Sequence, residues 1–187
     1  MSAGRKTICL FCGSRHGNDP DYADAAAATA RGLAEGGFDL VYGAGDVGLM
    51  GIAARAAKQA GARVLGFIPR HILELEIGCE AIDATVITET MHERKKLMFV
   101  NSDAVLALPG GPGTLDELIE VLTWRQLGVH ERPVVLFNHK GYWDPFLRLL
   151  EHMARTGFMG ESFLDYVTET DSPEGSVEAL HRLLDRP

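Results

Sequence analysis

Cysteine and long apolar runs are both scarce in this sequence of 187 residues. Three cysteines, Cys9, Cys12 and Cys79, are too few for a disulfide framework and favour a reducing compartment. No stretch approaches the roughly 20 apolar residues of a membrane span, and the apolar run Thr7–Phe11 is shorter than a signal-peptide core. We therefore expect a cytoplasmic protein without a membrane partner.

Basic residues are also scarce relative to acidic ones. The chain has 18 Lys and Arg against 26 Asp and Glu, a formal net charge of −8. This charge disfavours a nucleic acid polymer as partner, because a phosphate backbone attracts basic surfaces. A small nucleotide is still allowed, since one phosphate responds to nearby donors more than to net charge. With 46% hydrophobic and 24% charged residues, we expect residues 1–187 to form a single globular domain.

Cys9 and Cys12 have the spacing of a Cys-x-x-Cys redox motif. Redox pairs of the thioredoxin type lie at the start of a helix, where the thiolate is stabilised, whereas Cys9 falls inside a predicted strand. We therefore expect both to be structural thiols. The histidines have no metal-ligand spacing with acids or cysteines, so we predict no metal, and we predict no cofactor.

Short apolar runs alternate with longer helical patterns along the chain. The runs that predict strands are Thr7–Phe11, Asp39–Tyr42, 63–68, 85–88, 104–108, 133–138 and 166–168. The patterns that predict helices are Asp21–Glu35, 48–60, 91–101, 114–126, 143–156 and Pro173–Leu184, with a loop over 70–83. This alternation predicts an α/β fold, a doubly wound Rossmann-like parallel sheet with helices on both faces. Such sheets bind ligands beyond the carboxyl ends of their strands.

The first glycine loop, residues 43–48, has the sequence GAGDVG and fits the G-x-G-x-x-G pattern of dinucleotide sites. The usual fingerprint follows the first strand, and this loop follows the second. About 20 residues further on, the chain offers Pro69 and Arg70 where a ribose-binding acid is required. An NAD(P) oxidoreductase is therefore only a minor alternative, and close packing of helix against strand also explains these glycines.

The second glycine loop, residues 109–114, has the sequence PGGPGT and suits phosphate better. Pro109 ends the strand, and the glycines leave backbone N–H groups accessible to an anion. We predict Thr114 as the helix N-cap, and the helix N-terminus adds a partial positive charge. No G-K-[ST] follows, so the loop is not that of a P-loop NTPase. The alternative is a plain tight turn.

One acid and one cationic cluster accompany this loop. Glu117 lies three residues after Thr114, and the apolar stripe of Leu115, Leu118, Ile119 and Leu122 leaves it free to face the cleft. Residues 91–96 place three cations at a helix start, against the helix dipole, and Arg94 offers a bidentate fork for phosphate. For Glu117 the alternative is an acid in the first turn that only complements the helix dipole. For residues 91–96 the alternative is a run of charge on the solvated surface.

These motifs together resemble the Lonely Guy family. Residues 109–117, PGGPGTLDE, match its PGGxGTxxE signature, and residues 91–95, MHERK, match a second motif. Further matches are residues 12–14, 42–43, 48–51 and 123–128, so the resemblance covers roughly residues 7–170. Members have also been labelled lysine decarboxylases, but nothing in this sequence specifies a pyridoxal phosphate site.

The resemblance implies hydrolysis of the N-glycosidic bond of cytokinin riboside 5′-monophosphates, which are N6-substituted forms of AMP. The products are the free base and ribose 5-phosphate. It also implies a homodimer, with Arg94 and Glu117 as the catalytic pair. The nucleotide site it implies consists of Gly13, Ser14, Gly45, Glu76, Arg94, Lys95, Gly111, Pro112, Gly113, Thr114, Leu115, Asp116, Glu117 and Thr123.

Three positions depart from the family pattern and leave the preferred base open. Ala44 replaces a glycine and should resist a positive φ, Arg15 replaces a serine, and Asp116 replaces a frequent glutamate. A general purine nucleoside 5′-monophosphate nucleosidase is therefore one alternative function. A non-catalytic nucleotide or cofactor carrier on the same fold is another.

Overall fold

A seven-stranded, wholly parallel sheet organises the chain in the computed structural model, which describes residues 4–73 and 82–185. Its strands are β1 (Thr7–Phe11), β2 (Asp39–Tyr42), β3 (Val64–Pro69), β4 (Ala84–Thr88), β5 (Ala104–Ala107), β6 (Val134–Phe137) and β7 (Val167–Thr170). The helices are α1 (Asp21–Glu35), α2 (Gly48–Gln59), α3 (Arg70–Leu73), α4 (Met91–Val100), α5 (Pro112–Gln126), α6 (Asp144–Arg155) and α7 (Pro173–Leu184). Short 3-10 turns cover His139–Gly141 and Glu161–Tyr166.

Helices cover both faces of the sheet, as predicted. Every residue of β5 and β6 is buried, because the helices exclude water from both sides of these central strands. One apolar core contains side chains of α1, α2 and α7, and the other contains side chains of α4, α5 and α6. The predicted doubly wound α/β class is therefore confirmed.

The strand order β4-β3-β2-β1-β5-β6-β7 places the switch point between β1 and β5. At this point successive crossovers leave the sheet in opposite directions, and the two loops that follow the strands separate to form a crevice. The N–H of Gly13 donates to the Pro109 carbonyl at 3.0 Å, and the N–H of Leu49 donates to the Gly13 carbonyl at 3.0 Å. The predicted phosphate loop therefore lies at the switch point.

Helix α5 begins two residues earlier than predicted, and Thr114 is not its N-cap. Gly111 occupies the cap position without a side-chain hydrogen bond, and Pro112 follows it. Proline is favoured there because it has a helical φ and lacks an N–H that would have no partner. Thr114 is instead buried inside the first turn. Leu115, predicted to face the core, is 38% exposed.

Ala44 adopts the left-handed conformation that we expected it to resist, with φ 58°. The residue is 1% exposed, and a Cβ placed on Gly66 would lie 2.8 Å from the Ala44 Cβ. Left-handed backbone costs an L-residue roughly 1–2 kcal/mol, and burial of one methyl group returns about 0.8 kcal/mol. The space left by Gly66 thus lets the glycine loop keep its shape with alanine in it.

Within residues 4–73 and 82–185, no helix is long and apolar enough to cross a bilayer. In the same ranges, no group of three or more His, Cys, Asp or Glu side chains could hold a metal ion. Cys79 lies outside the described residues.

Cys9 and Cys12 are free, buried and packed into different cores on opposite faces of the sheet. Burial raises the pKa of both thiols, and the negative charge of Glu117 raises it further. Because the two thiols lie on opposite faces of the sheet, they cannot form a disulfide with each other. Because their pKa is raised, we expect them to be unreactive. In a Cys79→Ser variant, an aromatic disulfide reagent should modify neither thiol in native protein and both in denaturant. Rapid modification under native conditions would contradict this structural role.

Candidate active site

Three glycines lie just before α5 or in its first turn, and their surroundings give different reasons for having no side chain there. A Cβ on Gly110 would lie 2.1 Å from the Thr114 hydroxyl oxygen, so packing requires glycine there. A Cβ on Gly111 or on Gly113 would meet nothing within 4 Å. The first N–H groups of a helix have no acceptor within that helix. Open space at Gly111 and Gly113 therefore adjoins unpaired backbone donors, which favours an anion-binding loop over a plain turn.

A crevice of about 510 Å³ opens beside this loop at the switch point. Its walls are residues 13–17, residues 109–112 and the side chains of Tyr22, Leu49 and Tyr142. The Tyr142 hydroxyl donates to the Gly110 carbonyl at 2.6 Å and so holds one edge of the loop. The volume lies within the roughly 300–1,000 Å³ of small-molecule sites.

Arg94 is held at the carboxyl ends of two other strands. Its Nε donates to the Phe67 carbonyl of β3 at 3.1 Å, and its Nη2 donates to the Gly43 carbonyl beyond β2 at 2.9 Å. A Cβ on Gly43 would lie 1.7 Å from Nη2, so the guanidinium occupies the space that a side chain there would need. A guanidinium has five N–H donors, and Arg94 therefore keeps donors for a ligand.

Glu117 lies in the second turn of α5, close enough to Arg94 for the charge of the guanidinium to act on its carboxyl. Burial raises the pKa of Glu117 to about 7, although the positive charge of Arg94 acts in the opposite direction. The neighbouring acid Asp116 raises this pKa further. A carboxyl group with this pKa exists in both protonation states near neutral pH, which is the property required of an acid–base group.

Lys95 occupies a different environment from its neighbour Arg94. Its side chain is 7% exposed, and its Nζ lies 2.9 Å from Asp116 Oδ2 and 3.0 Å from Glu120 Oε2. Burial alone lowers the pKa of Lys95, but hydrogen bonds to the two carboxylates outweigh it and the pKa is raised. The lysine therefore stays charged and connects α4 to α5.

The structure brings most of the predicted site residues to one edge of the sheet. The residues near the switch point are Gly13, Ser14, Gly111, Pro112, Gly113, Thr114 and Glu117, with Arg94 close to Glu117. Gly45 lies in the loop after β2, against the Met50 side chain. Thr123 lies nine residues beyond Thr114, about 13 Å along the helix. Its hydroxyl donates to the Ile119 carbonyl at 2.7 Å. Glu76 lies outside the described residues.

Four positioning contacts were not predicted from sequence. They are the carbonyls of Phe67 and Gly43 on Arg94, the Tyr142 hydroxyl on the loop, and Glu120 on Lys95. Gly43 carried a signal, since it is a glycine directly after a buried strand, but the pattern suggested helix packing rather than an arginine site. The other contacts join residues distant in sequence and left no local pattern.

The chain is similar to known proteins over most of its length. A protein-family model described as "Possible lysine decarboxylase" matches residues 50–180. The cytokinin riboside 5′-monophosphate phosphoribohydrolase LOG of Oryza sativa subsp. japonica is 44% identical over 156 residues, 83% of this chain and 64% of that protein. Two proteins of the same description from Arabidopsis thaliana are 45% identical over 157 residues and 40% identical over 181 residues. Those matches cover 84% and 97% of this chain, and 74% and 85% of the respective relatives.

Solved structures with the same fold include carriers of the molybdenum cofactor. The carrier protein of Chlamydomonas reinhardtii superposes with a TM-score of 0.75 at 20% identity, over 97% of this chain and 99% of its own. The molybdenum cofactor binding protein of Rippkaea orientalis gives a TM-score of 0.75 at 23% identity, over 98% and 99%. At these identities the likeness shows the fold alone. The family match and the relatives show that the chain belongs to the Lonely Guy family.

Proposed function

We propose that this protein hydrolyses the N-glycosidic bond of cytokinin riboside 5′-monophosphates, releasing the free base and ribose 5-phosphate. The observation that carries the proposal is the half-buried carboxyl of Glu117, on the helix that follows the glycine loop, with its pKa raised to about 7 and the charge of Arg94 acting on it. The named activity of the relatives supports the same reaction class.

The 5′-phosphate binds at the start of α5 in this proposal. Gly111 and Gly113 leave space for phosphate oxygens, and the backbone N–H groups supply donors without a basic side chain. Ser14 and Arg15 line the same crevice. The negative net charge of the chain is compatible with this, because the donors act at short range.

Glu117 acts at C1′ of the ribose. As the bond from C1′ to the base nitrogen breaks, its electron pair goes to the base and positive charge develops on the sugar, which a nearby carboxylate stabilises. A water molecule attacks C1′ and passes a proton to the Glu117 carboxylate. The leaving base takes one proton from solvent and Glu117 releases its proton to solvent, so one water molecule is consumed and the products are neutral base and ribose 5-phosphate.

Arg94 fixes the sugar in this geometry. Two of its N–H groups are used by the Phe67 and Gly43 carbonyls, which hold the guanidinium plane. The remaining donors bind ribose hydroxyls or the phosphate. Its charge also favours the ionised form of Glu117.

We also propose a homodimer. The C-terminal ends of α4 and α5 pack together through contacts of the Phe99 ring with Trp124 and His130. Beside these rings Val100, Leu127 and Val129 are 49%, 71% and 66% exposed. Exposed apolar residues in such a group favour a protein interface.

The two free thiols support a reducing, cytoplasmic compartment.

The function is tested by incubating the protein separately with isopentenyladenosine 5′-monophosphate, AMP and isopentenyladenosine. Free base is followed by chromatography. We expect release from the prenylated monophosphate and little from the nucleoside, which lacks the phosphate. Equal or faster release from AMP would favour a general purine nucleosidase. Tight binding without release from any nucleotide would favour a carrier and overturn the proposal.

Glu117→Gln should lower base release by at least about 100-fold, the scale of one acid–base group. The same variant should be more stable than the wild type at high pH. Burial raises the pKa of Glu117 from 4.5 to about 7. The penalty for ionising it in the folded state is therefore absent below pH 4.5 and complete above pH 7.

At about 1.4 kcal/mol per pKa unit, the free energy of unfolding of this variant should rise by roughly 3 kcal/mol at pH 8 and change little at pH 4. Urea denaturation at both pH values measures the difference. The exposed acid Glu151, changed to Gln, is the matched control and should show neither effect. A pH-independent difference for the Glu117 variant would contradict the burial of its charge.

Gly43→Ala and Ala44→Gly form a second matched pair. The first places a Cβ where Nη2 of Arg94 lies, so Arg94 must move and base release should fall as far as in Arg94→Ala. The second relieves roughly 1 kcal/mol of left-handed strain and removes a buried methyl group worth about 0.8 kcal/mol. It should therefore change stability by less than about 1 kcal/mol and preserve activity. Full activity in Gly43→Ala would refute the proposed anchoring of Arg94.

A further inference from the structure

Lys95 is a buried cation that makes two ion pairs with a neighbouring helix. It follows Arg94 on α4, and both of its carboxylate partners are on α5, at distances of 2.9 Å from Asp116 and 3.0 Å from Glu120. These two acids are four residues apart and lie on either side of Glu117 in sequence. The contact therefore joins the helix that carries Arg94 to the helix that carries Glu117.

The hydrogen-bonding capacity of Lys95 is mostly used by these contacts. An ammonium group has three N–H donors, and two are directed at Asp116 and Glu120. Its side chain is 7% exposed, whereas that of Asp116 is 64% exposed. A phosphate at Nζ would have only the one remaining N–H donor and would lie beside two carboxylates that repel it.

The charge balance around Glu117 depends on this lysine. The charged and titratable groups that act on Glu117 from the elements around it are Arg94 and Lys95 on α4, Asp116 and Glu120 on α5, and Cys9 and Cys12 at β1. Both cysteines are neutral thiols, because burial raises their pKa. Arg94 and Lys95 lower the pKa of Glu117, and Asp116 and Glu120 raise it.

We propose that Lys95 is a positioning residue, which locks α5 to α4 and balances the two acids beside Glu117, and that it does not bind the substrate phosphate. The proposal rests on the proposed function for its kinetic consequences. It assigns to Lys95 a task different from the nucleotide contact that the family resemblance implied. It also explains why a lysine is buried so near a helix start.

The test compares Lys95→Met with Lys96→Met, which removes the same charge from the exposed next residue of the same helix. Lys95→Arg serves as the conservative variant. The pKa of Glu117 is read directly by carbon-13 NMR of labelled glutamate side chains. The kcat and KM for the nucleotide monophosphate are measured across pH in parallel.

In Lys95→Met the pKa of Glu117 should rise by about one unit or more, as expected on loss of a nearby opposite charge. The acid limb of kcat/KM should move with it, and kcat at pH 7 should fall by roughly fivefold for a rise of one unit, since less carboxylate is present. KM should change by less than about threefold. Lys96→Met should move none of these values, and Lys95→Arg should restore the wild-type pKa.

Asp116→Asn provides an independent variant that keeps Lys95 and its pairing with Glu120. Because Asp116 raises the pKa of Glu117, this substitution should lower it, opposite in sign to Lys95→Met. Asp116→Asn therefore tests the proposal even if Lys95→Met fails to fold.

A tenfold or larger rise in KM with an unchanged Glu117 pKa in Lys95→Met would show a substrate contact and overturn the proposal. An unchanged or raised pKa in Asp116→Asn would also overturn it. A wild type that releases no base, with both pKa shifts present, would instead refute the proposed function alone.

Discussion

The burial of one carboxyl group, that of Glu117, is the constraint on which the rest of the site depends. Burial favours its protonated form and raises its pKa to about 7. Without a nearby positive charge, the pKa would be higher still and the group would be mostly protonated at neutral pH. Arg94 offsets part of the burial directly, and Lys95 neutralises the acids on either side. The cationic helix α4 therefore serves an acid on α5, despite the unfavourable helix dipole.

The fold places these groups through backbone contacts more than through side chains. Arg94 is oriented by two carbonyls that project from the ends of β2 and β3, and this requires a glycine at position 43. The proposed phosphate loop follows β5 at the switch point, where the hydrogen bond from Gly13 to Pro109 brings two loops together. At Gly43 the missing side chain makes room for the guanidinium of Arg94, whereas at Gly111 it leaves open space beside the loop.

The fold class could be predicted from the sequence, and the central residues of the proposed site could be selected from it, because their signals are local. Continuous apolar strands such as Val134–Phe137 predict a sheet covered on both faces, and the 109–117 motif is contiguous. Two differences between prediction and structure, at Ala44 and at Lys95, involve distant parts of the chain, and the one at Thr114 is local. Ala44 keeps a left-handed conformation because Gly66, on the neighbouring strand, leaves room for its methyl group. Thr114 is buried because Gly111 and Pro112 already begin the helix. The partners of Lys95 lie over 20 residues away, at Asp116 and Glu120.

The central claim is that Glu117 acts as a carboxylate whose ionisation near neutral pH limits the reaction. The most direct measurement compares its pKa in the free wild-type protein, from carbon-13 NMR, with the acid limb of kcat/KM for base release. The account predicts that both lie near pH 7 and that kcat/KM rises with pH through that value. The substrate phosphate itself ionises near pH 6, which is why the carboxyl must be observed directly. A Glu117 pKa near its ordinary value of 4.5, or a rate that falls as Glu117 ionises, would contradict the account.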